Sequence, residues 1–300
     1  MLIQQVINGL ILGAVYALIA LGYTMVYGIL ELINFAHGEI YMIGAYLSII
    51  FLGFFTTAGL TQDHLAISLF LSFLLSAAFC GAYGYTMEKV AYRPLRKANR
   101  LSPLISALGM SIFLQNYVML TQGSTDIVFP HLLPPLEFTG GGVTVTGIQL
   151  FILASSFILM GGLYFILQKS LIGKAMRATA QDRIMSGLLG VNVDLIISLT
   201  FILGSVLAAA AGTMVAIYYG TVNFSIGYVA GIKAFTAAVL GGIGSIPGAM
   251  AGGLILGLVE SLGAGYISSQ YKDLFAFLIL ILVLLFKPSG LLGSSTREKV

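Results

Sequence analysis

The chain has 300 residues, 58% of them hydrophobic and 8% charged, with a mean hydropathy of +1.01. Soluble domains carry about 25% charged residues, so this composition excludes a largely water-exposed surface and makes lipid the main solvent. The net charge is +3, and the placement of the charges is more informative than their sum.

A hydrocarbon core of about 30 Å takes about 20 apolar residues per helical crossing, which leaves room for eight or nine spans. In chain order the apolar runs predict helices over 5–29, 39–57, 65–87, 103–121, 147–168, 195–219, 229–243, 248–266 and 273–287. The expected fold is an all-α polytopic membrane protein, a single transmembrane domain over 1–300 with broken or re-entrant segments. The first run opens on Met1-Leu2-Ile3-Gln4-Gln5. It lacks the basic n-region of a cleavable signal, so it is expected to stay as a span. The single Cys80 lies in the apolar run 74–83; it excludes an intramolecular disulfide and reads as a small hydrophobe. Trp is absent, so the 15 Tyr are left to mark the interfaces.

Two hexapeptides echo each other. Ile33-Asn34-Phe35-Ala36-His37-Gly38 resembles Val222-Asn223-Phe224-Ser225-Ile226-Gly227, and each precedes an apolar segment. Internal repeats with broken helices near the midplane are a common transporter design. Asn34, His37 and Glu39 in the first stretch, with Asn223 in the second, are the candidate residues for a substrate path. A helix starting inside the membrane near Glu39 would turn free N–H groups toward an anionic or zwitterionic group. The competing reading makes Asn34 a helix cap and leaves His37 at interfacial water. Glu31, Glu260 and Lys233 complete the short inventory of ionisable groups near or within spans. Glu260 and Lys233 are expected to snorkel or to pair internally.

The basic residues set orientation. Lys89, Arg93, Arg96, Lys97 and Arg100 fall in one loop near 89–101. Lys169, Lys174, Arg177 and Arg183 fall in a second near 169–194, and Lys287, Arg297 and Lys299 near the C-terminus. These are 12 of the 14 Lys and Arg, so all three places read as cytoplasmic, and counting spans back puts the N-terminus outside. The stretch 122–146 is then the main external loop. It holds Pro130, Pro134, Pro135, Gly140-Gly141-Gly142, Asp126 and Glu137 and no Lys or Arg, and is expected to be ordered and touched by a partner. Gly241, Gly242, Gly244, Pro247 and Gly248, followed by Gly252 and Gly253, mark a helix break, either a sharp turn or an unwound helix, with small residues for close helix packing.

No enzyme constellation is present, and neither catalytic residues, a cofactor nor a metal is expected. His37-Gly38-Glu39 matches half of a zinc deaminase signature, but one Cys cannot supply the other half. His64 and His131 fall at loop edges. The chain has no H-E-x-x-H, no G-x-S-x-G and no phosphate-binding G-x-x-x-x-G-K-[ST], so it holds no ATP-hydrolysing site of that type. The loop 173–192 is too long for a tight turn and rich in good helix formers, with Gly190 as a stop. Met176, Ala180, Met185 and Leu188 would give it a small apolar face, suited either to another protein's groove or to the membrane surface.

Taken together, several segments carry a specific resemblance. They are Asn8-Gly9-Leu10 through Gly22-Tyr23, Ile33 to Glu39, Arg177-Ala178-Thr179-Ala180-Gln181-Asp182, Leu189-Gly190-Val191-Asn192, and the run from Ala238 to Ala249. The chain resembles, over its full length, the first of the two membrane-subunit types of branched-chain amino acid ABC importers. The resemblance implies a multi-pass permease of the cell (inner) membrane that forms a path for neutral, hydrophobic amino acids by alternating access. It also implies a second homologous permease, two cytoplasmic ATPases and an external substrate-binding protein, with no nucleic acid partner. The 178–192 loop would be the coupling element, with Arg177, Ala178, Ala180, Asp182, Leu189, Gly190 and Asn192 as its candidate residues. It departs from the general importer pattern of Glu-Ala-Ala followed by Gly, because the Glu is missing. The likeness extends to urea and short-amide importers. An ATP-independent carrier or channel is the remaining alternative.

Overall fold

The computed structural model describes residues 1–96, 98–99, 101–130, 136–140 and 142–293. Of the positions singled out above, Lys97, Arg100, His131, Pro134, Pro135, Gly141, Arg297 and Lys299 lie outside the described residues.

Helices α1 (Leu2–Leu30) and α2 (His37–Thr57) are followed by a single turn, α3 (Leu60–Asp63), and by α4 (Leu65–Met87). Next come α5 (Leu101–Gln122), α6 (Gly147–Lys169), α7 (Leu171–Gln181), α8 (Arg183–Leu188) and α9 (Val193–Tyr219). The last helices are α10 (Ile226–Gly241), α11 (Ile246–Tyr266) and α12 (Lys272–Phe286). Among the described residues, eight helices are long and apolar enough to cross a membrane, and α10 is a shorter apolar helix. The all-α polytopic expectation therefore holds, with two local corrections. The basic loop near 89–101 is helical over most of its length, because α4 runs on through a π turn (Glu88–Tyr92) and a 3-10 turn (Arg93–Leu95). The external stretch 122–146 is not only loop. It contributes strand β1 (Ile127–Val128) and a hairpin of β2 (Glu137–Gly140) and β3 (Val143–Thr146), and β1 pairs antiparallel with β4 (Thr221–Val222).

Long-range contacts sort these elements to the two ends of the bundle. At one end the Gln4 side chain exchanges two 3.0 Å hydrogen bonds with the backbone of Thr144, and Ser261 Oγ donates to the Gln5 carbonyl at 2.7 Å. At the opposite end Arg93 and Arg96 pair with Asp194. There Arg183 donates to the Ile29 carbonyl, and the Leu291 and Leu292 amides bond to Leu240 and Gly241. The N-terminus thus shares an end with the 122–146 excursion and lies opposite the basic segments.

Helices α1, α2 and α9 form the centre. Leu18, Ile19, Ala20 and Leu21 of α1, Ala208 to Ala211 of α9, and Ile40 and Met42 of α2 are completely buried. Small residues let these backbones touch, as membrane helix packing requires where no hydrophobic force drives association. On α5 and α12, large apolar side chains such as Ile105, Phe113, Leu120, Leu285 and Phe286 point outward, as lipid-facing or subunit-facing helices should.

Candidate functional site

Two chain re-entries meet inside this bundle. Helix α1 runs down to Leu30, where Glu31 takes a left-handed conformation (φ 55°) and its N–H caps Tyr27 O at 2.7 Å. The chain then turns back into the bundle and starts α2 at His37. The His37 ring lies against Gly22 of α1, and a Cβ on Gly22 would overlap it; on the other side His37 Cε1 is 3.5 Å from where a Cβ on Gly204 would stand. Gly22 is eight residues above the end of α1, so α2 begins about 12 Å inside at 1.5 Å per residue. Helix α9 mirrors this path. It runs to Gly220 (φ 69°) at the opposite end of the bundle, the chain re-enters, and α10 starts at Ile226 beside the start of α2. The two echo hexapeptides are these two re-entries. They run in opposite directions and meet at Gly38 and Gly227, the arrangement of an inverted repeat.

The polar candidates of the first hexapeptide are buried here. Asn34 (2% exposed) does not cap α2: its Oδ1 accepts from Tyr92 Oη at 2.7 Å, and α2 starts with no side-chain cap. His37, also 2% exposed, is not at interfacial water; it packs edge-on against Tyr23 with ring centroids 5.0 Å apart. Glu39 Oε1 accepts from Ser111 Oγ of α5 at 3.0 Å. Its Oε2 is buried without a hydrogen-bond partner and lies against Gly227 in the first turn of α10. A carboxylate there faces the positive end of the α10 dipole as well as that of its own helix. Asn223 stands apart from this cluster. Its Oδ1 accepts from Ser225 N at 3.0 Å and Ser225 Oγ at 2.8 Å, a local turn that leads into α10.

A second buried network anchors α10. Lys233 Nζ is 2.6 Å from Glu260 Oε1 and 2.6 Å from Asp273 Oδ1, and Tyr16 Oη donates to Glu260 Oε2 at 2.9 Å. Lys233 and Glu260 are therefore internally paired rather than snorkelling. This ties α10 to α1, α11 and α12. Nothing in the sequence flagged Asp273 or Tyr16. The break after α10 is a tight turn, with Gly242 (φ 104°) and Gly244 (φ 94°) in conformations that favour glycine. Pro247 stands in the first turn of α11, where the missing N–H costs nothing, and Gly248 lets α11 approach Gly241 backbone to backbone.

At the basic end of the bundle the 173–192 stretch is two helices, not one. Asp182 is extended and accepts from the Ile184 and Met185 amides at 2.8 and 2.9 Å, which stops α7 and caps α8. The split also separates the expected apolar face. Met176 is 3% exposed, and with Thr179 it seats α7 on the bundle, whereas Met185, Leu188 and Leu189 of α8 and its end point outward with Ile184. Ala180 is exposed and Ala178 half-buried. Arg177 donates to the Leu167 and Gln168 carbonyls at the end of α6. Gly190 takes φ 87°, and Asn192 caps α9 by accepting from Leu195 N at 3.1 Å. Nearby, Arg96 bridges Glu88, which is fully buried and also accepts from Ser198 Oγ at 2.8 Å, and Asp194. That network was hidden from the sequence because its members come from α4, its 3-10 extension and α9.

Among the described residues no cluster of His, Cys, Asp and Glu suits a metal ion. The fold defines a multi-pass membrane protein built around two re-entrant helix starts that run in opposite directions. Residues 5–284 match the family model described as branched-chain amino acid transport system / permease component. The chain is 52% identical over 302 aligned positions to the high-affinity branched-chain amino acid transport system permease protein BraD of Pseudomonas aeruginosa, covering 99% of this chain and 98% of that one. It is 49% identical to the LivH permease protein of the same kind of system in Escherichia coli, covering 99% and 97%. It is 28% identical to a probable LivH of Methanocaldococcus jannaschii, covering 98% and 94%. The chain belongs to the branched-chain amino acid transport permease family and is a permease subunit.

Proposed function

We propose that this chain forms, with a second homologous permease, the path by which an ATP-driven importer passes branched-chain amino acids across the cell membrane. Two cytoplasmic ATPases and an external binding protein complete the assembly, and ATP is hydrolysed on those partners. The observation that carries the reading is similarity across nearly the whole chain to permeases named for high-affinity branched-chain amino acid transport. The absence of a nucleotide-binding motif in a chain this apolar agrees with it.

In this reading α7 and α8 are the coupling element. Arg177, Asp182, Gly190 and Asn192 hold its shape, while Ala178, Ala180 and Leu189 lie on or beside the surface that meets an ATPase. Asn34, His37 and Glu39 stand on the substrate path where α2 and α10 meet, and Asn223, at the entry into α10, belongs to the same path. The binding protein docks on the outer end, around the 122–146 excursion. Substrate class is tested by competition in the reconstituted importer. Isoleucine and valine should suppress labelled leucine uptake, and urea and lysine should not. Suppression by urea with no effect of valine would move the chain to the amide importers.

A further inference from the structure

Beside the cytoplasmic ends of α1 and α5 lies a cavity of about 170 Å³, far more than one water needs. Its polar wall is Glu31, Arg96 and Arg183, and Leu30, Leu32 and Leu95 supply an aliphatic wall. The charges are not spent on one another. Among the described residues, no ion pair includes Glu31 or Arg183. Arg183 uses its Nε and Nη2 on the Ile29 carbonyl, which leaves the Nη1 donors of its planar fork. The terminal nitrogens of Arg96 are taken by Glu88 and Asp194, and its Nε is buried without a partner. A buried donor in that condition is costly unless something accepts from it. Glu31, the only non-glycine with positive φ among the described residues, is the left-handed cap of α1, exposed and among the residues that line the cavity.

An anion acceptor, a cation acceptor and an aliphatic wall around one small space match a zwitterion with a branched carbon side chain. We propose that this cavity binds a free aliphatic α-amino acid from the cytoplasmic side, its carboxylate on Arg183 and its ammonium on Glu31. This rests on the transport reading above and adds a regulatory site to it. The occupant is the cargo after delivery. Arg183 opens α8 and already holds the Ile29 carbonyl, so occupancy against Glu31 adds a second tie between the coupling element and the core helix, and delivered cargo slows further turnover. A phosphatidylethanolamine headgroup carries the same pairing of anion and ammonium and is the other source of that chemistry. The leucine-lined wall favours the free amino acid.

The test uses the permease pair with both ATPases and no binding protein, in nanodiscs with and without phosphatidylethanolamine, and labelled leucine as the probe. Saturable binding is expected in both lipids, weakened at least about tenfold by Glu31→Gln and by Arg183→Gln. In proteoliposomes, leucine on the ATPase side should slow ATP-driven uptake by the unsubstituted importer and should not slow that of Glu31→Gln. Each ratio of loaded to empty vesicles is taken within one variant. Absent binding, or equal binding in both variants, overturns the proposal. So does tight retention of the ethanolamine lipid, sensitive to Glu31→Gln, with no leucine bound. Uptake of leucine without any such binding removes this site alone, whereas failure of leucine uptake removes the transport reading.

Discussion

Gly38 and Gly227 meet backbone to backbone. A Cβ on Gly38 would overlap the Gly227 carbonyl and stand 2.8 Å from Gly231 Cα, and a Cβ on Gly227 would stand 2.8 Å from the Gly38 carbonyl and overlap Glu39 Oε2. The first turns of α2 and α10, which enter from opposite ends of the bundle, are therefore held at glycine spacing. The backbone here cannot yield cheaply, so Gly38→Val should abolish uptake and lower the melting temperature of the purified subunit. Gly161→Ala, where a Cβ meets nothing within 4 Å, should leave both unchanged. Normal uptake by Gly38→Val would mean that the crossing is loose.

The Lys233–Glu260 pair is 4% and 5% exposed. Removing one partner of a buried pair costs about 3–5 kcal/mol, while replacing both by apolar groups is often neutral. Lys233→Met alone should therefore destabilise the fold by that amount, measured by unfolding in detergent. The double variant Lys233→Met with Glu260→Leu should recover only part of the loss, because it leaves Tyr16 Oη without its acceptor and Asp273 without its cation. A single variant as stable as the parent would show that water already reaches the pair.

Tyr92 is the only donor to Asn34 Oδ1 among the described residues. Tyr92→Phe should cost about 1–3 kcal/mol by orphaning that oxygen, and adding Asn34→Leu should return part of it. If Asn34 stands on the substrate path, the double variant should stay assembled yet transport more slowly. Full uptake would reduce Asn34 to a packing role.

Much of this architecture was legible in advance. The long apolar runs gave the spans to within a few residues, and basic residues of the segments near 89–101 and 169–194 do fall at one end of the bundle. Depth was not legible. Nothing in Ile33–Gly38 distinguishes a re-entry from an interfacial loop, because Asn34 is satisfied by Tyr92, and Glu39 just beyond it by Ser111, both far away in the chain. Asp182 likewise follows a run of good helix formers, and its capping role depends on a local extended backbone that composition does not specify. Lys233 could be read as snorkelling only because Asp273, at the start of α12, gave no sign of facing it.

Ala180 lies one turn beyond Met176 at the end of α7, where it is exposed while Met176 is 3% exposed. Ala180→Arg should leave the subunit folded in the membrane but remove co-purified ATPase. Met176→Arg should instead destroy folding, since it buries an unpaired charge. ATPase retained at parental levels by Ala180→Arg would take the contact away from this face of α7.

The most direct measurement is labelled leucine uptake into proteoliposomes holding this chain, its partner permease and both ATPases, with ATP inside and the binding protein outside. Uptake that stops when either ATP or the binding protein is withheld is the predicted result. Leucine entry through this chain alone, indifferent to ATP, would contradict the account and make the protein a carrier or channel.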